Sequence, residues 1–568
     1  MLIIGLDGLD PELTDKWIAD GSLPNLASLS HTGVFSKLQS TIPPFTYPAW
    51  SSLLTGVNPG RHGITDFAVR RPGSYTVTYI NSTYRLESTF FNRLSQVGKR
   101  VAAIGFPTTY PPEPVNGIMI SGFDSPLAYT ADKSFCYPRS LWDELKSNVS
   151  AYTLAGIQEL DTSADWRERA QETIRHTIIS RTAIAEYLYK KEKWDCFGIV
   201  FSESDTTAHH FWAAHDHRSP RHRPEDKKYS GFLHEVYQSL DTSVGRLVSL
   251  ADPETLVLVV SDHGSGGTGN RLLSLNRALA EHGFFTYRSN QSSNHHTTFD
   301  HNYSESKANQ PKQSWLRKLA FMLPAQIGEW FFRYAPRSIL DFLESRHRLA
   351  YADLKNSIAF SDELNYFPSV WLNDERFPFG KSYSVDQRDQ ILGEIKTALS
   401  SLKDPVTGNP LISRIYFKHG LYTGPALEWI PDLIVVPAMD GDYTVTLWNA
   451  PSPGPILSIL PEQEIRGRKG GSMNGSHRPF GVLISNAPMY LDDQRIPCLE
   501  DIGASVLSLF GVETKDLDGI PLFKALSQNV FRDSNIDEDM TKGGDKPVPY
   551  TKSESREIQE RLKRLGYL

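Results

Sequence analysis

Three short apolar runs in this chain lead into acidic residues, and this recurrence constrains the fold more than any other feature. LIIGL is followed by Asp7, CFGIVF leads into SESD with Asp205, and LVLVV leads into SDHG with Asp262. Continuous apolar runs bounded by turn signals are typical of parallel strands that are buried on both faces. Long helical patterns at 164–193 and 229–250 precede the second and third runs. The alternation predicts an α/β fold with a doubly wound, mostly parallel central sheet and helices on both faces.

Candidate metal ligands lie at the ends of these predicted strands. Ligands gather at the carboxyl ends of strands in open α/β sheets. Asp205 and His209 are four residues apart, so both can face one side of a helical turn. His477 is the last residue of a predicted Gly-rich loop at 467–477, which precedes another predicted strand. A mixture of carboxylates and imidazoles suits zinc, and also manganese or iron. The six candidates are Asp7, Asp205, His209, Asp262, His263 and His477.

The candidate nucleophile is the Thr46 hydroxyl, in the stretch TIPPFTYPAWSSLLTG. Prolines on both sides restrict the local backbone, and a helix is predicted over 49–54. The amino end of a helix favours an approaching anion. Six ligands and the Thr46 oxygen are enough for two divalent ions, which clamp the attacking and leaving oxygens of a phosphoryl displacement. The pattern predicts a metal-dependent hydrolase of small-molecule phosphate esters.

Each of these residues also has a structural interpretation. Thr46 could cap the helix that follows it, and Asp205 could cap a helix that carries His209 on its surface. Asp7 with Gly8 could be an ordinary turn after a strand. At the level of function, the alternatives are a phosphotransferase or phosphomutase with the same metals, and a catalytically silent metal-binding scaffold.

Five short motifs, spread over residues 3–481, resemble those of the alkaline phosphatase superfamily and, within it, the type I phosphodiesterase / nucleotide pyrophosphatase family. They are IIGLDG, FTYPAWSSLLTG with PGRHGI, SDTTAH, VVSDHG and GSHRPFG. The resemblance implies an alkaline phosphatase-like sheet with an inserted cap. It also implies a covalent phospho-enzyme intermediate on Thr46 that water then hydrolyses. By the same resemblance one metal is held by Asp7, Thr46, Asp262 and His263, and the other by Asp205, His209 and His477.

The chain departs from the family pattern downstream of Thr46. Nucleotide pyrophosphatases of this family usually have an Asn in the stretch that follows the nucleophile by about twenty residues. The side-chain amide of that Asn steadies a phosphate oxygen. Here the local sequence is HGITDF, with Asp66 and Phe67 in that neighbourhood. An ionised carboxylate accepts hydrogen bonds and donates none. We therefore expect the metals and backbone N–H groups to hold the transition-state charge instead.

The bulk composition bears on partners and location. A net charge of -7 over 568 residues argues against nucleic acid as the main partner. Three cysteines without a CxxC pair favour a reducing compartment. The opening MLIIGLDG has no basic segment before its short apolar run. The sequence therefore predicts a cytoplasmic protein, and it leaves the oligomeric state open.

The predicted domain organisation is one catalytic domain with an insertion. The catalytic domain is expected at 1–269 and 351–525, and a lid or cap at 270–350. A polar stretch near 289–314 predicts a mobile loop inside that insertion. A C-terminal linker and helix are expected at 526–568.

The segment 315–349 is apolar with interspersed Arg and Lys. It would either pack as helices against the main domain or touch a membrane surface. Packing is the favoured interpretation, because Pro324 and Pro336 interrupt the pattern.

Overall fold

The computed structural model describes most residues up to 523 and few residues after that position. The described residues are 1–70, 72–122, 132–149, 165–288, 349–363, 368–461, 473–491, 495–523, 550, 554, 555 and 558. The predicted mobile loop near 289–314, the segment 315–349 except its last residue, and nearly all of 526–568 lie outside these residues.

The strands are numbered in chain order. They are β1 (Leu2–Leu6), β2 (Val34–Gln39), β3 (Ala68–Arg70), β4 (Val77–Tyr79), β5 (Val101–Ile104), β6 (Gly117–Ile120), β7 (Cys136–Tyr137), β8 (Cys196–Phe201), β9 (Val257–Val260), β10 (Gly264–Leu273), β11 (Ala359–Phe360), β12 (Ser369–Leu372), β13 (Ile412–Phe417), β14 (Leu433–Pro437), β15 (Thr444–Leu447), β16 (Leu457–Ile459), β17 (Gly475–Arg478) and β18 (Phe480–Ser485).

The helices are numbered in the same way. They are α1 (Pro11–Ala19), α2 (Pro24–Thr32), α3 (Thr46–Thr55), α4 (Pro59–His62), α5 (Phe90–Gln96), α6 (Leu141–Asn148), α7 (Trp166–Lys191), α8 (Glu203–His215), α9 (Phe232–Val248), α10 (Leu275–Glu281), α11 (Val385–Ser400), α12 (Lys418–Leu421) and α13 (Leu499–Leu509).

The central sheet has eight strands in the order β2-β18-β9-β1-β8-β5-β6-β7. β1 lies near its middle and pairs in parallel with β8 on one side and β9 on the other. β18 pairs antiparallel with both of its neighbours, and β7 pairs antiparallel with β6. The predicted α/β class with a mostly parallel sheet is confirmed.

Apolar side chains bury both faces of this sheet. Along β1, Leu2, Ile4 and Leu6 enter one hydrophobic core, and Ile3 enters the other. Helices α1, α2 and α6 to α9 contribute to the first core, and α3, α5 and α13 contribute to the second. Because β1, β8 and β9 are covered on both sides, their sequences are continuous apolar runs rather than alternating ones.

A second region of the chain has a hydrophobic core of its own. β10 forms a sheet with β15, β16 and β17, and β11-β12-β14-β13 form a separate antiparallel sheet. Side chains between Leu273 and Phe285 share a core with side chains between Leu349 and Leu447. We call this cluster the cap core.

The insertion predicted at 270–350 stays a prediction, and the cap core includes residues within it and after it. β10 runs continuously across the predicted start at 270. The cap core also includes Phe360, Trp371 and Leu433, which the prediction assigned to the catalytic domain. Strand pairing joins β10, which begins before the predicted start of the insertion, to β15 and β16, which follow its predicted end. Sequence composition does not show which strands pair.

None of the helices in the described parts of the chain has the length and apolar character that a bilayer span requires.

Candidate metal centre and nucleophile

Three neighbouring parallel strands bring three carboxylates to the same edge of the central sheet. Asp7 directly follows β1, and Asp262 follows β9 after one intervening residue. Asp205 lies in the first turn of α8, which begins two residues after β8 ends. Since β9, β1 and β8 are adjacent and parallel, their carboxyl ends meet at one place. The predicted grouping of these residues therefore follows from strand order.

Thr46 is the first residue of α3, which begins three residues earlier than predicted. The capping residue is Phe45, and it makes no side-chain cap bond. The alternative interpretation of Thr46 as a helix cap is therefore wrong. The Thr46 Oγ1 atom instead lies 3.2 Å from His263 Nε2. The hydroxyl thus meets the predicted metal ligands at the amino end of a helix.

The alternative for α8 is wrong as well. Its capping residue is Ser202 rather than Asp205, and the side chain of Ser202 makes no cap bond. His209 is only 6% exposed, so it is not a surface histidine. Its Nε2 lies 3.3 Å from Asp205 Oδ1, across one helical turn. Both side chains therefore face the carboxyl edge of the sheet.

The three histidines are held in the same way. Each Nδ1 lies within hydrogen-bond distance of a backbone carbonyl: Gly475 O at 3.1 Å for His209, Gly264 O at 3.0 Å for His263 and Pro44 O at 3.0 Å for His477. A carbonyl only accepts, so each of the three Nδ1 atoms carries a proton and donates it. Every Nε2 lone pair is then directed to the common centre, as in metal-ligating histidines.

The ligand atoms converge within a few ångströms. His209 Nε2 lies 3.0 Å from His477 Nε2, and His477 Nε2 lies 3.6 Å from Asp205 Oδ1. His263 Nε2 lies 3.3 Å from Asp262 Oδ2 and 3.6 Å from Asp7 Oδ1. All six predicted ligands and Thr46 thus form one contiguous cluster. Its two tightest groups are Asp205, His263 and His477, and Asp7, Asp262 and His263.

These groups differ in two respects from the sets of carboxylate and imidazole ligands that the resemblance implies. His263 belongs to both tight groups, and His209 belongs to neither. The rings of His263 and His477 stack at 3.8 Å between centroids, which brings the two sets together. His263 therefore contributes a candidate ligand atom to both groups.

The donor set fits divalent cations on electrostatic grounds. Two Nε2 lone pairs that face each other at 3.0 Å repel unless a proton or a cation lies between them. Burial and the neighbouring Asp7 raise the pKa of Asp262 well above its ordinary value. Burial lowers the pKa of His263 to about 4 and that of His477 well below its ordinary value, which keeps both rings neutral. Neutral imidazoles and crowded carboxylates are the ligands that a divalent metal stabilises.

Asn474 supports the histidines and was missed by the sequence analysis. Its backbone N–H donates to His209 O at 2.7 Å, and its Oδ1 accepts from Ala213 N at 2.8 Å. In a regular helix that carbonyl and that N–H would bond each other. Asn474 therefore inserts into α8 and joins it to β17, the strand that carries His477.

His477 was predicted in a loop, and it lies in this strand because β17 pairs with β10.

A glycine is required at position 8, where the chain leaves the end of β1 and lies against α8. Its φ is +66°, and a Cβ at this position would lie 2.8 Å from the Cβ of Asp205. We expect Gly8→Ala to destabilise the fold by about 1–2 kcal/mol through backbone strain, and to weaken metal binding by displacing Asp205. Urea denaturation and a chelator competition measure the two effects.

Gly21→Ala is the matched control for this substitution. Gly21 has a φ of +83°, and a Cβ there would meet no atom within 4 Å among the described residues. It should cost a similar strain energy and leave metal affinity unchanged. Equal metal affinity in both variants would show that Gly8 has no role at the cluster.

The sequence matches the profile of the family described as type I phosphodiesterase / nucleotide pyrophosphatase over residues 1–325. The chain belongs to this family. Six of the seven predicted site residues lie within the matched part, and His477 lies beyond it. Membership in the type I phosphodiesterase / nucleotide pyrophosphatase family supports a phosphoester hydrolase.

Solved structures that resemble this chain share little sequence with it. Phosphonoacetate hydrolase from Sinorhizobium meliloti 1021, in complex with phosphonoformate, is 15% identical with a TM-score of 0.48, over 88% of this chain and 93% of that chain. Human ectonucleotide pyrophosphatase / phosphodiesterase 5 is 11% identical with a TM-score of 0.43, over 92% of this chain and 97% of that chain. No curated protein sequence matches the chain.

The segment that contains Asp66 and Phe67 contacts the residue that precedes the candidate nucleophile. The Asp66 carboxylate accepts from the backbone N–H of Phe67 at 2.6 Å. The Phe67 ring packs edge-to-face against Phe45, the residue before the candidate nucleophile. In this family member the segment thus supports the Thr46 turn by apolar packing.

Proposed function

We propose that this family member is a metal-dependent phosphoester hydrolase that favours diesters and uses Thr46 as its nucleophile. The observation that carries the proposal is the 3.2 Å contact between Thr46 Oγ1 and His263 Nε2, within a cluster of three carboxylates and three imidazoles. A hydroxyl in such a cluster is placed to become a nucleophile. Family membership supports the phosphoester class of substrate.

Two divalent ions would be held by this cluster, and zinc, manganese and iron all suit its ligands. When bound, they supply Lewis acidity that lowers the pKa of the Thr46 hydroxyl and offsets the charge of the phosphate. One ion is assigned to Asp7, Thr46, Asp262 and His263, and the other to Asp205, His209 and His477, with His263 adjacent to both.

The chain's own residues account for the two steps of the reaction. Thr46 Oγ1 gives up its proton to solvent and forms a bond to phosphorus as the bond from phosphorus to the leaving oxygen breaks, and the departing alkoxide takes up a proton from solvent. A water oxygen then attacks phosphorus and loses a proton to solvent, the bond from phosphorus to Oγ1 breaks, and Oγ1 takes up a proton again. The amino end of α3 lies at the attacking oxygen, where its dipole favours the phosphate anion.

The proposal is tested by elemental analysis of the purified protein together with two model esters. We expect about two divalent ions per chain, and faster cleavage of bis-p-nitrophenyl phosphate than of p-nitrophenyl phosphate. Faster cleavage of the monoester would overturn the diester preference while keeping the hydrolase. A metal-loaded protein that cleaves neither ester would favour the silent scaffold.

An added alcohol separates hydrolysis from phosphoryl transfer. A hydrolase should release nitrophenol at a rate that does not depend on the alcohol and should form mainly the hydrolysis product. Formation of the alcohol's phosphate ester as the main product would indicate a phosphotransferase or phosphomutase instead.

A further inference from the structure

Trp50 donates a hydrogen bond to a predicted metal ligand from the same helix that begins with Thr46. Its indole Nε1 lies 2.9 Å from Asp7 Oδ2, and both residues are buried. The sequence interval from Thr46 to Trp50 is four residues, so both side chains lie on one face of α3. The helix therefore carries the candidate nucleophile and a partner of a candidate ligand one turn apart.

The indole is held in place by close packing. A Cβ at Gly5 would lie 2.5 Å from the Trp50 ring, so the glycine in β1 provides the space for it. Phe106 packs edge-to-face against the indole at 5.7 Å between centroids. Trp50 has no exposed surface. The direction of its N–H is thus set by the surrounding core.

The backbone around Asp7 is equally restrained. Asp7 N donates to Phe201 O at 2.9 Å, and Asp7 O accepts from Ser204 Oγ at 2.5 Å. With the main chain held at β1 and the Oδ2 atom held by Trp50, the Oδ1 atom is directed at His263 Nε2, 3.6 Å away. The contacts of the Asp7 backbone and of its Oδ2 atom therefore fix the orientation of the carboxylate.

We propose that Trp50 is a positioning residue that makes Oδ1 of Asp7 the metal-facing oxygen and couples metal binding to the placement of Thr46. The inference rests on the metal site of the proposed function. Partners that orient metal ligands in this way typically contribute about 10–100-fold to metal affinity. Loss of the indole N–H would free the Asp7 carboxylate to rotate, and it would loosen α3 relative to the ligands.

Trp50→Phe tests the proposal, with Trp371→Phe as its matched control. Trp371 is a buried tryptophan of the cap core whose Nε1 has no acceptor among the described residues. We expect the metal dissociation constant, measured by chelator competition without substrate, to rise about 10–100-fold in Trp50→Phe. Trp371→Phe should bind metal as the wild type does.

A tryptophan analogue with sulfur in place of the indole nitrogen, incorporated at position 50, separates hydrogen bonding from packing. It keeps the size of the ring and removes only the donor, so it should fold even if Trp50→Phe does not. We expect it to weaken metal binding and also to lower the melting temperature of the metal-free protein, because a buried carboxylate oxygen loses one hydrogen bond. Unchanged metal affinity in the analogue would overturn the proposal.

The outcomes distinguish this inference from the proposed function. If the wild type binds metal and cleaves esters, and the analogue binds metal equally well, only the role of Trp50 fails. If the analogue weakens metal binding but the wild type cleaves no ester, only the proposed function fails. A wild type that binds no divalent metal would overturn both.

Discussion

Replacing Thr46 with valine should abolish turnover while leaving the fold intact and the other six candidate ligands in place. The substitution keeps the β-branched shape at the first position of α3 and removes only the oxygen that lies 3.2 Å from His263 Nε2. Loss of a nucleophile removes the covalent route entirely, so we expect kcat to fall about 10³-fold or more. Steady-state hydrolysis of bis-p-nitrophenyl phosphate by metal-loaded protein measures the effect.

Thr46→Ser is the companion variant, because it keeps the hydroxyl and loses only a methyl group. It should retain measurable activity, and a rapid acid quench should trap a phosphorylated residue in the wild type and in Thr46→Ser but not in Thr46→Val. Wild-type activity in Thr46→Val would mean that water or another side chain attacks phosphorus, and the role proposed for Thr46 would be wrong.

Removing metal should abolish hydrolysis and lower the melting temperature. The cluster places two buried carboxylates beside each other and two imidazole lone pairs at 3.0 Å, and a cation relieves both repulsions. A ligand present at 100 times its dissociation constant stabilises a fold by about 2.7 kcal/mol. Dialysis against a chelator, followed by calorimetry and assay before and after adding zinc or manganese, measures both effects.

Two aspartate substitutions provide a paired control for this prediction. Asp262→Asn removes one of the crowded carboxylates, so metal affinity should fall sharply while the metal-free protein is no less stable. Asp241 is a buried carboxylate away from the cluster that accepts from Leu26 N at 2.8 Å and from Asn25 Nδ2 at 2.8 Å. Asp241→Asn should therefore destabilise the metal-free protein and leave metal affinity unchanged. Equal metal affinity in the two variants would count against a metal role for Asp262.

The fold class could be predicted because its signals are local. β1 and β8 have the predicted bounds, and the helical patterns at 164–193 and 229–250 correspond to α7 and α9 with slightly shorter limits. Apolar runs, helical periodicity and turn residues each act over a few neighbours, so a single sequence displays them. The position of Asp7, Asp205 and Asp262 at strand ends also follows from these runs, and parallel pairing then brings them together.

Other features depend on contacts between distant segments. His477 meets His209 across 268 positions of the chain, because β17 pairs with β10 and Asn474 inserts into α8. The cap core joins segments within and after the predicted insertion. No local pattern encodes which strands pair or in which register, so these partners were not predictable from periodicity or composition.

The sequence by itself determined the apolar strands that end at the carboxylates, the two long helices α7 and α9, the candidate ligand types and the resemblance to a family, since all of these depend on residue identity and short-range spacing. The tertiary structure decided the orientation of each ligand: which carbonyl holds each histidine Nδ1, and that Trp50 holds Oδ2 of Asp7. Orientation is set by hydrogen bonds between elements that are far apart in the chain. Their geometry exists only once the sheet and its helices have packed.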